Sequence, residues 1–127
     1  MKEFMLIIRN EGDGKAAFSP EQHQHFLKAC EVYIEELTKS GNLKSAQPLV
    51  REGVMVSGSA DGFLEGPFTT TSEMIVGYYH ILASDIDEAI AIAKRNPEFA
   101  HVKGAKIEVR PVKTAEQTTG FQYPGRK

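Results

Sequence analysis

The residues best suited to chemistry are four polar side chains in two segments that have the alternation of β-strands. Tyr78 and His80 lie two residues apart in a β-branched and aromatic run, and Glu108 and Arg110 alternate with apolar residues in a later run. Residues two apart on a strand share one face of the sheet. Histidine and glutamate can transfer a proton, and arginine binds a carboxylate through paired hydrogen bonds. We therefore predict His80 and Glu108 as catalytic residues, and Tyr78 and Arg110 as substrate-binding residues for a small carboxylated molecule.

A second interpretation of these four residues is a salt-bridged, hydrated interface in which no reaction takes place. Strand alternation predicts that His80 shares its face with Val76, Tyr78 and Leu82. Polar groups buried at an interface are costly unless they are paired or hydrated. Either a cavity or an ionic network must therefore accompany them.

Two further candidates lie in a segment with helical periodicity. His23 shares a face with the apolar stripe that contains Phe26 and Cys30. A histidine titrates near neutral pH, so His23 is interpreted either as a substrate-binding group facing a cavity or as a residue at the rim of the core. Cys30 lies on the stripe itself, which predicts a buried thiol that reacts slowly.

The sequence contains no recognisable metal or cofactor motif. His23 and His25 diverge on a helix because they are two residues apart, and His101 is isolated, so no cluster has the spacing of a zinc site. The glycine-rich segment 12–14 lacks the other residues of a phosphate-binding or dinucleotide-binding loop. We expect neither a metal nor a cofactor.

Length and composition indicate a single globular domain. The chain has 127 residues and a formal charge of −2, from 15 basic and 17 acidic residues, which argues against nucleic acid or an anionic membrane as a partner. Its single cysteine cannot form an internal disulfide, and the apolar run that ends at Arg9 is too short for a signal peptide or a membrane span. These features predict a cytoplasmic protein.

The elements that would position the candidates can be read in order. The apolar run 4–8 predicts a buried strand, and the capping box at Ser19-Pro20-Glu21-Gln22 predicts a helix over 20–40 that ends before Gly41. A short strand is predicted over 43–47, a hairpin over 54–65 and a strong strand over 75–83. Ser84 is the expected cap of a second helix that ends before Asn96-Pro97, and the alternation over 105–111 predicts the closing strand.

This order of elements is the ferredoxin-like βαββαβ pattern, an α+β fold in which two helices cover one face of an antiparallel sheet. The other face would be left bare. We expect a second copy of the chain to cover it and form a homodimer. The domain would span residues 1–113, and residues 114–127 would form a polar tail that is ordered only where something holds it.

Several short segments occur in the order found in a known family. They are Glu65-Gly66-Pro67-Phe68, Gly77-Tyr78-Tyr79, Asp85-Ile86-Asp87-Glu88-Ala89 and the closing strand before Val112. From Met5 to about Val112 the chain resembles the DGPF branch of the YCII-related proteins, although Glu65 replaces the usual aspartate. The resemblance implies a dimeric α+β barrel in which two sheets lie face to face around a small cavity.

The resemblance also bears on function. The superfamily includes muconolactone-isomerase-like enzymes, dehydrochlorinases and haem-binding monooxygenases, and the YCII branch is thought to carry a His–Asp pair whose positions correspond here to Cys30 and Asn96. The leading hypothesis is a cofactor-independent isomerase or lyase that acts on a small carboxylated molecule between the sheets. The alternatives are a non-catalytic small-molecule-binding or stress-associated dimer, and a structural interaction domain.

Overall fold

The protein is described by a computed structural model that covers residues 1–11, 18–50, 52–67 and 74–124. The glycine-rich segment 12–14 and Phe68 lie outside these residues. The elements are β1 (Lys2–Asn10), α1 (Pro20–Lys39), β2 (Leu43–Pro48), β3 (Met55–Ser59), β4 (Gly62–Gly66), β5 (Met74–Ala83), α2 (Ile86–Lys94), α3 (Glu98–His101) and β6 (Lys106–Pro111).

Four strands form the main sheet, in the order β2-β5-β1-β6. Every neighbouring pair is antiparallel. With α1 after β1 and α2 after β5, this is the ferredoxin-like α+β arrangement that the sequence predicts. Strands β3 and β4 form a separate two-stranded hairpin between β2 and β5.

One face of the sheet carries the hydrophobic core. Alternate residues of the central strand β1, namely Phe4, Leu6 and Ile8, are buried against apolar side chains of α1 and α2. From β5, Ile81 joins them and is fully buried. We call this face the covered face, and the opposite face, which carries the alternating polar residues, the open face.

Local signals fix the first helix. The Ser19 hydroxyl accepts a hydrogen bond from the Gln22 N–H at 3.1 Å, and the Gln22 side chain accepts one from the Ser19 N–H at 2.8 Å. The predicted capping box is therefore present, and α1 begins at Pro20. At its other end Gly41 has a φ of 80°, a conformation that glycine adopts without strain.

The second helix begins one residue later than predicted. Its N-cap is Asp85, whose carboxylate accepts a hydrogen bond from the Glu88 N–H at 2.9 Å, so the expectation that Ser84 is the cap is wrong. The Ser84 N–H instead donates to the Glu88 side chain at 2.6 Å. The Asp85 backbone, with a φ of −158°, has the extended conformation of an N-cap.

A bulge in β5 corrects another expectation. Ile8 of β1 pairs with Gly77 and Arg9 pairs with Ile75, so Val76 has no residue opposite it. Val76 packs against the core rather than sharing the open face with Tyr78. The extra residue reverses the alternation, as expected of a β-bulge.

Two smaller features complete the chain. The hairpin β3–β4 exposes large apolar side chains from both strands: Met55, Val56, Phe63 and Leu64. Part of the polar tail folds back on itself, with Ala115 bridging Gln122. Among the described residues, no helix has the length and hydrophobicity that crossing a membrane requires.

Candidate functional site

The open face brings four of the predicted site residues together. His80 pairs across to Met5, which pairs with Arg110, and Tyr78 pairs across to Ile7, which pairs with Glu108. Strand spacing and residue rise then place His80, Arg110, Glu108 and Tyr78 at the corners of a rectangle of about 10 Å by about 7 Å. Met5 and Ile7 lie along its middle.

His80 has a partner that the sequence did not suggest. Its Nε2 lies 2.9 Å from Oε1 of Glu3, and the Glu3 side chain is only 5% exposed. An ionised carboxylate can only accept a hydrogen bond, so in the neutral imidazole this contact places the hydrogen on Nε2 and leaves Nδ1 with its lone pair. Lys44 Nζ lies 3.6 Å from the same Glu3 oxygen. The arrangement is an imidazole oriented by a carboxylate, with a cation beside it.

Glu108 is held by cations. Arg9 donates from Nε at 3.2 Å and from a terminal nitrogen at 3.0 Å to the same Glu108 oxygen, and Arg110 lies 3.5 Å from the other oxygen. The Arg110 side chain remains 66% exposed. Glu108 therefore sits within an ionic network, whereas Arg110 extends a charge toward solvent.

His23 does not join the other four residues. It lies in the first turn of α1, is exposed, and has its ring 6.5 Å from the ring of Phe18. Because α1 packs on the covered face, His23 is separated from His80 by the thickness of the sheet.

A cavity of about 240 Å³ lies on the covered face, between α1 and the β2 side of the sheet. Most of its lining is apolar, and the polar exceptions are Cys30, Gln47, Tyr79 and Glu98. The lining residues are Ile8, Phe26, Leu27, Cys30, Ile34, Ala46, Gln47, Pro48, Val76, Gly77, Tyr79 and Glu98. Among the described residues that line it there is no lysine, arginine or histidine.

Behind this cavity lies a buried polar cluster. The Tyr33 hydroxyl donates to the Ile92 carbonyl at 2.8 Å, and its ring packs edge-to-face on Tyr79 at 5.3 Å. Burial raises the pKa of Tyr33 to about 12. Burial, and next the neighbouring Cys30, also raise the pKa of Tyr79, while the adjacent Asn96 amide acts in the opposite direction.

Glu98 is the carboxyl member of this cluster. It is 5% exposed, and Asn10 Nδ2 donates to its Oε1 at 3.3 Å. Its own N–H donates to Oδ1 of Asn96 at 2.9 Å. Among the described residues, Nδ2 of Asn96 and Oδ1 of Asn10 have no hydrogen-bond partner, although both are buried.

Cys30 differs from the expectation of a buried thiol. It is partly exposed and lines the cavity. The apolar stripe of α1 packs fully into the core only at Phe26, Tyr33 and Leu37, whereas its middle faces the cavity. The periodicity located the stripe correctly, but periodicity does not reveal whether the space opposite it is filled.

Three polar residues of these sites were not predicted from the sequence: Glu3, Lys44 and Glu98. Glu3 lies next to an apolar run and Lys44 lies in β2, and only the pairing of strands brings Glu3 to His80 and Lys44 to Glu3. Glu98 belongs to α3, a four-residue helix that follows Asn96-Pro97 and has no periodic signal. The charge of Glu3 beside a buried strand was the one available hint.

Comparison with known proteins settles the family. The family model described as the YCII-related domain matches residues 3–116. The chain belongs to the YCII-related family. An uncharacterised protein of Rhizobium meliloti (strain 1021) is 24% identical over 113 residues, which cover 86% of this chain and 90% of that protein.

Membership of the YCII-related family confirms the broad resemblance found in the sequence. The narrower resemblance to the DGPF branch stays a prediction. Where that resemblance places a His–Asp pair, this YCII-related chain has Cys30 and Asn96. Both lie on the covered side of the sheet, Cys30 in the cavity wall and Asn96 beside Tyr79.

Proposed function

We propose that this YCII-related protein is a homodimer that binds a small carboxylated molecule between two open faces, with His80 as the proton-transfer group. The hydrogen bond between His80 and Glu3 is the observation that carries this proposal. It orients the imidazole, and Lys44 lies beside the same carboxylate. Such a pair suits the removal and return of a proton beside a carboxylate, which is the chemistry of an isomerase or lyase.

The case for a dimer rests on the composition of the open face. Met5, Ile7 and Leu82 are only partly buried in the single chain, and they lie between charged residues. Two such faces packed together would cover the apolar centre and bring the cations of both copies toward one space. A depression of about 430 Å³ at the end of β1 and β6 reaches Glu3 and would give that space an opening.

Each side chain then has a distinct role. Arg110, the most exposed cation of the network, binds the substrate carboxylate, and Lys44 adds positive charge near Glu3. Nδ1 of His80 takes a proton from the carbon next to that carboxylate, and Glu3 stabilises the imidazolium that forms. Glu108 neutralises Arg9 and holds Arg110 in position.

A binding protein without catalysis is the second candidate. The observation that favours it is that the ionic network on the open face is already internally paired, with Glu108 engaged by two arginines. In that case Arg110 and Lys44 would hold an anion, and His80 would only complete the hydrogen bonding.

The decisive experiment has two parts. Light scattering measures the mass in solution, and we expect twice the chain mass. NMR then follows the His80 ring during addition of small carboxylates such as pyruvate and acetoacetate, with His25→Gln as a matched control on the exposed surface of α1. A monomeric mass, or a His80 ring that responds to none of the acids, would remove the proposal.

Catalysis is separated from binding by isotope exchange. The protein is incubated in heavy water with the carboxylates that bind, and incorporation of deuterium next to the carboxylate is followed by NMR. Exchange that is lost in His80→Gln but retained in His25→Gln supports proton transfer. Binding without exchange assigns the binding-protein function instead.

A further inference from the structure

The β3–β4 hairpin exposes both of its faces in the single chain. All five residues of β3 and four of the five residues of β4 are exposed. Strand pairing places Met55 and Leu64 on one face and Val56 and Phe63 on the other, and each of these side chains is at least 57% exposed. A two-stranded hairpin is only marginally stable in water unless it packs on something else. Two exposed apolar faces therefore indicate a binding surface.

The accessible surface of the whole chain is larger than that of a compact monomer of this mass. It measures 8841 Å², whereas a folded monomer of 14.0 kDa exposes roughly 6,700 Å². Two chains that covered this excess would bury about 4,200 Å² in total, which lies within the range of about 2,000–5,000 Å² for obligate homodimers. The surface is thus of the size that a second copy would cover.

The open face alone is too small to account for this excess. Its outer strands β2 and β6 have six residues each, so the four-stranded face is about 19 Å wide and about 20 Å long. The flat area is then about 400 Å², half of the about 800 Å² that each partner buries in a standard interface. A stable dimer needs further apolar surface from each chain.

The charges of the hairpin complement those of the open face. Residues 55–66 contain two acidic residues, Asp61 and Glu65, and no basic residue. Within the described part of the chain, the ion pairs of the open face join two carboxylates to three cations: Arg9, Lys44 and Arg110. An acidic apolar hairpin and a cationic face suit one another. Both are present on every copy of this chain.

We propose that the hairpin, residues 55–66, is an arm that packs on the second copy of the chain at the rim of the paired open faces. The inference rests on the homodimer of the proposed function, but it does not rest on the carboxylate chemistry. The hairpin follows β2, which is an edge strand of the main sheet. The arm therefore starts at the margin of the sheet and extends the interface beyond the open face.

The first test needs no substitution. Deuterium exchange of the backbone amides is measured by mass spectrometry on the full chain, above and below the concentration at which light scattering shows the dimer to dissociate. Amides of residues 55–66 should exchange at least about tenfold more slowly in the dimer, because docking must be undone before they open. Amides of α2, on the covered face, should change much less.

A pair of phenylalanine substitutions tests the apolar contact. Phe63→Ser removes a large exposed side chain of the arm and should raise the dissociation constant of the dimer at least about tenfold. Phe99→Ser removes an exposed phenylalanine of α3 and should leave that constant unchanged. Light scattering over a dilution series measures both, and circular dichroism checks that each variant is folded.

A second pair of substitutions tests the charge complementarity. Glu65→Lys should weaken the dimer by about threefold at low salt, and the difference should shrink at high salt. Glu36→Lys, on the exposed surface of α1, is the matched control and should have no such effect. The same dilution series measures both at two ionic strengths. An equal effect of the two substitutions would overturn the pairing of charges.

The outcomes separate the arm from the carboxylate site. A dimer that is equally stable in Phe63→Ser and Phe99→Ser, or exchange of residues 55–66 that does not depend on concentration, would overturn the arm and leave the pairing of open faces intact. The hairpin would then pack on its own chain or on a different protein. A dimer with protected hairpins whose His80 ring responds to none of the carboxylates would support the arm and remove the proposed site. A monomeric mass at every concentration would remove both.

Discussion

The two faces of the sheet differ in the surroundings that they give to ionisable side chains. On the open face, ionisable groups contact one another: Glu3 with His80 and Lys44, and Arg9 with Glu108. On the covered face, the phenols and one carboxyl are buried among apolar side chains, and the tyrosine pKa values rise. The first environment is organised by mutual neutralisation and the second by exclusion of water.

The alternation of side chains along one strand allows that strand to contribute to both environments. Neighbouring residues of β1 belong to opposite environments, because Leu6 is completely buried in the core while Ile7 is only partly buried on the open face. The same strand can therefore serve stability with one set of residues and recognition with the other. Substitutions at adjacent positions should separate the two roles.

The largest expected effect comes from truncating the covered side. Leu6→Ala should lower the free energy of unfolding by about 2–5 kcal/mol, because it leaves a cavity in a close-packed core. Ile7→Ala on the other face should cost less, and its cost should depend on protein concentration if the open faces pair. Urea unfolding curves recorded at several protein concentrations measure the cost of each substitution. If Ile7→Ala costs as much as Leu6→Ala at every protein concentration, the two faces do not differ in the way described.

The raised tyrosine pKa values predict an alkaline loss of stability that arises from the covered side. A tyrosine in the unfolded chain ionises near its ordinary pKa of 10.0, whereas folded Tyr33 does so only at about 12. Its stabilising contribution is therefore complete below pH 10, and it declines as the pH rises toward 12, by an amount on the order of 2 kcal/mol.

Urea unfolding across this pH range tests that contribution. Tyr33→Phe should flatten the decline, at a constant cost of about 1 kcal/mol for the lost hydrogen bond to Ile92. A slope that is indifferent to Tyr33→Phe would show that the phenol is not buried as described.

The smallest expected effect comes from the ion pairs of the open face. Arg9→Gln removes both hydrogen bonds to Glu108 and should cost about 0.5–1 kcal/mol at low salt, because the two side chains remain partly exposed. The difference should shrink at high salt through screening. Thermal unfolding of the native and substituted chains at two ionic strengths measures this difference in stability. A larger loss that does not change with salt would mean that the ion pair is shielded from water.

Local signals were sufficient for much of the fold. The capping box at Ser19 and Gln22 defined α1 because both partners lie within one turn, and alternation placed Tyr78 and His80 on the same face. The prediction for Val76 was wrong because the pairing of two strands decides where the alternation reverses. Gly77 is a residue type found at bulges and at sites of close approach, but it does not by itself give the register.

Less of the candidate site than of the fold could be predicted from the sequence, again because strand pairing decides which residues meet. Glu3 and His80 are 77 residues apart, and their contact exists only once β1 and β5 pair. The cavity is space that the side chains of α1 leave unfilled against the sheet. Helical periodicity shows which side chains face the sheet but not how much volume they fill. The sequence therefore placed Tyr78 and Leu82 correctly on the face of His80 but did not identify Glu3, which contacts the ring across the strands.

The order of strands in the sheet also has a consequence for synthesis of the protein. The central strand β1 is made first, but its neighbours β5 and β6 begin only at Met74 and Lys106. At a translation rate of about 5–20 residues per second, β1 waits on the order of 5–20 seconds for its last partner. Until β5 has been made, the apolar residues of β1 have no sheet to enter, so the nascent chain should bind chaperones more readily than the finished protein does.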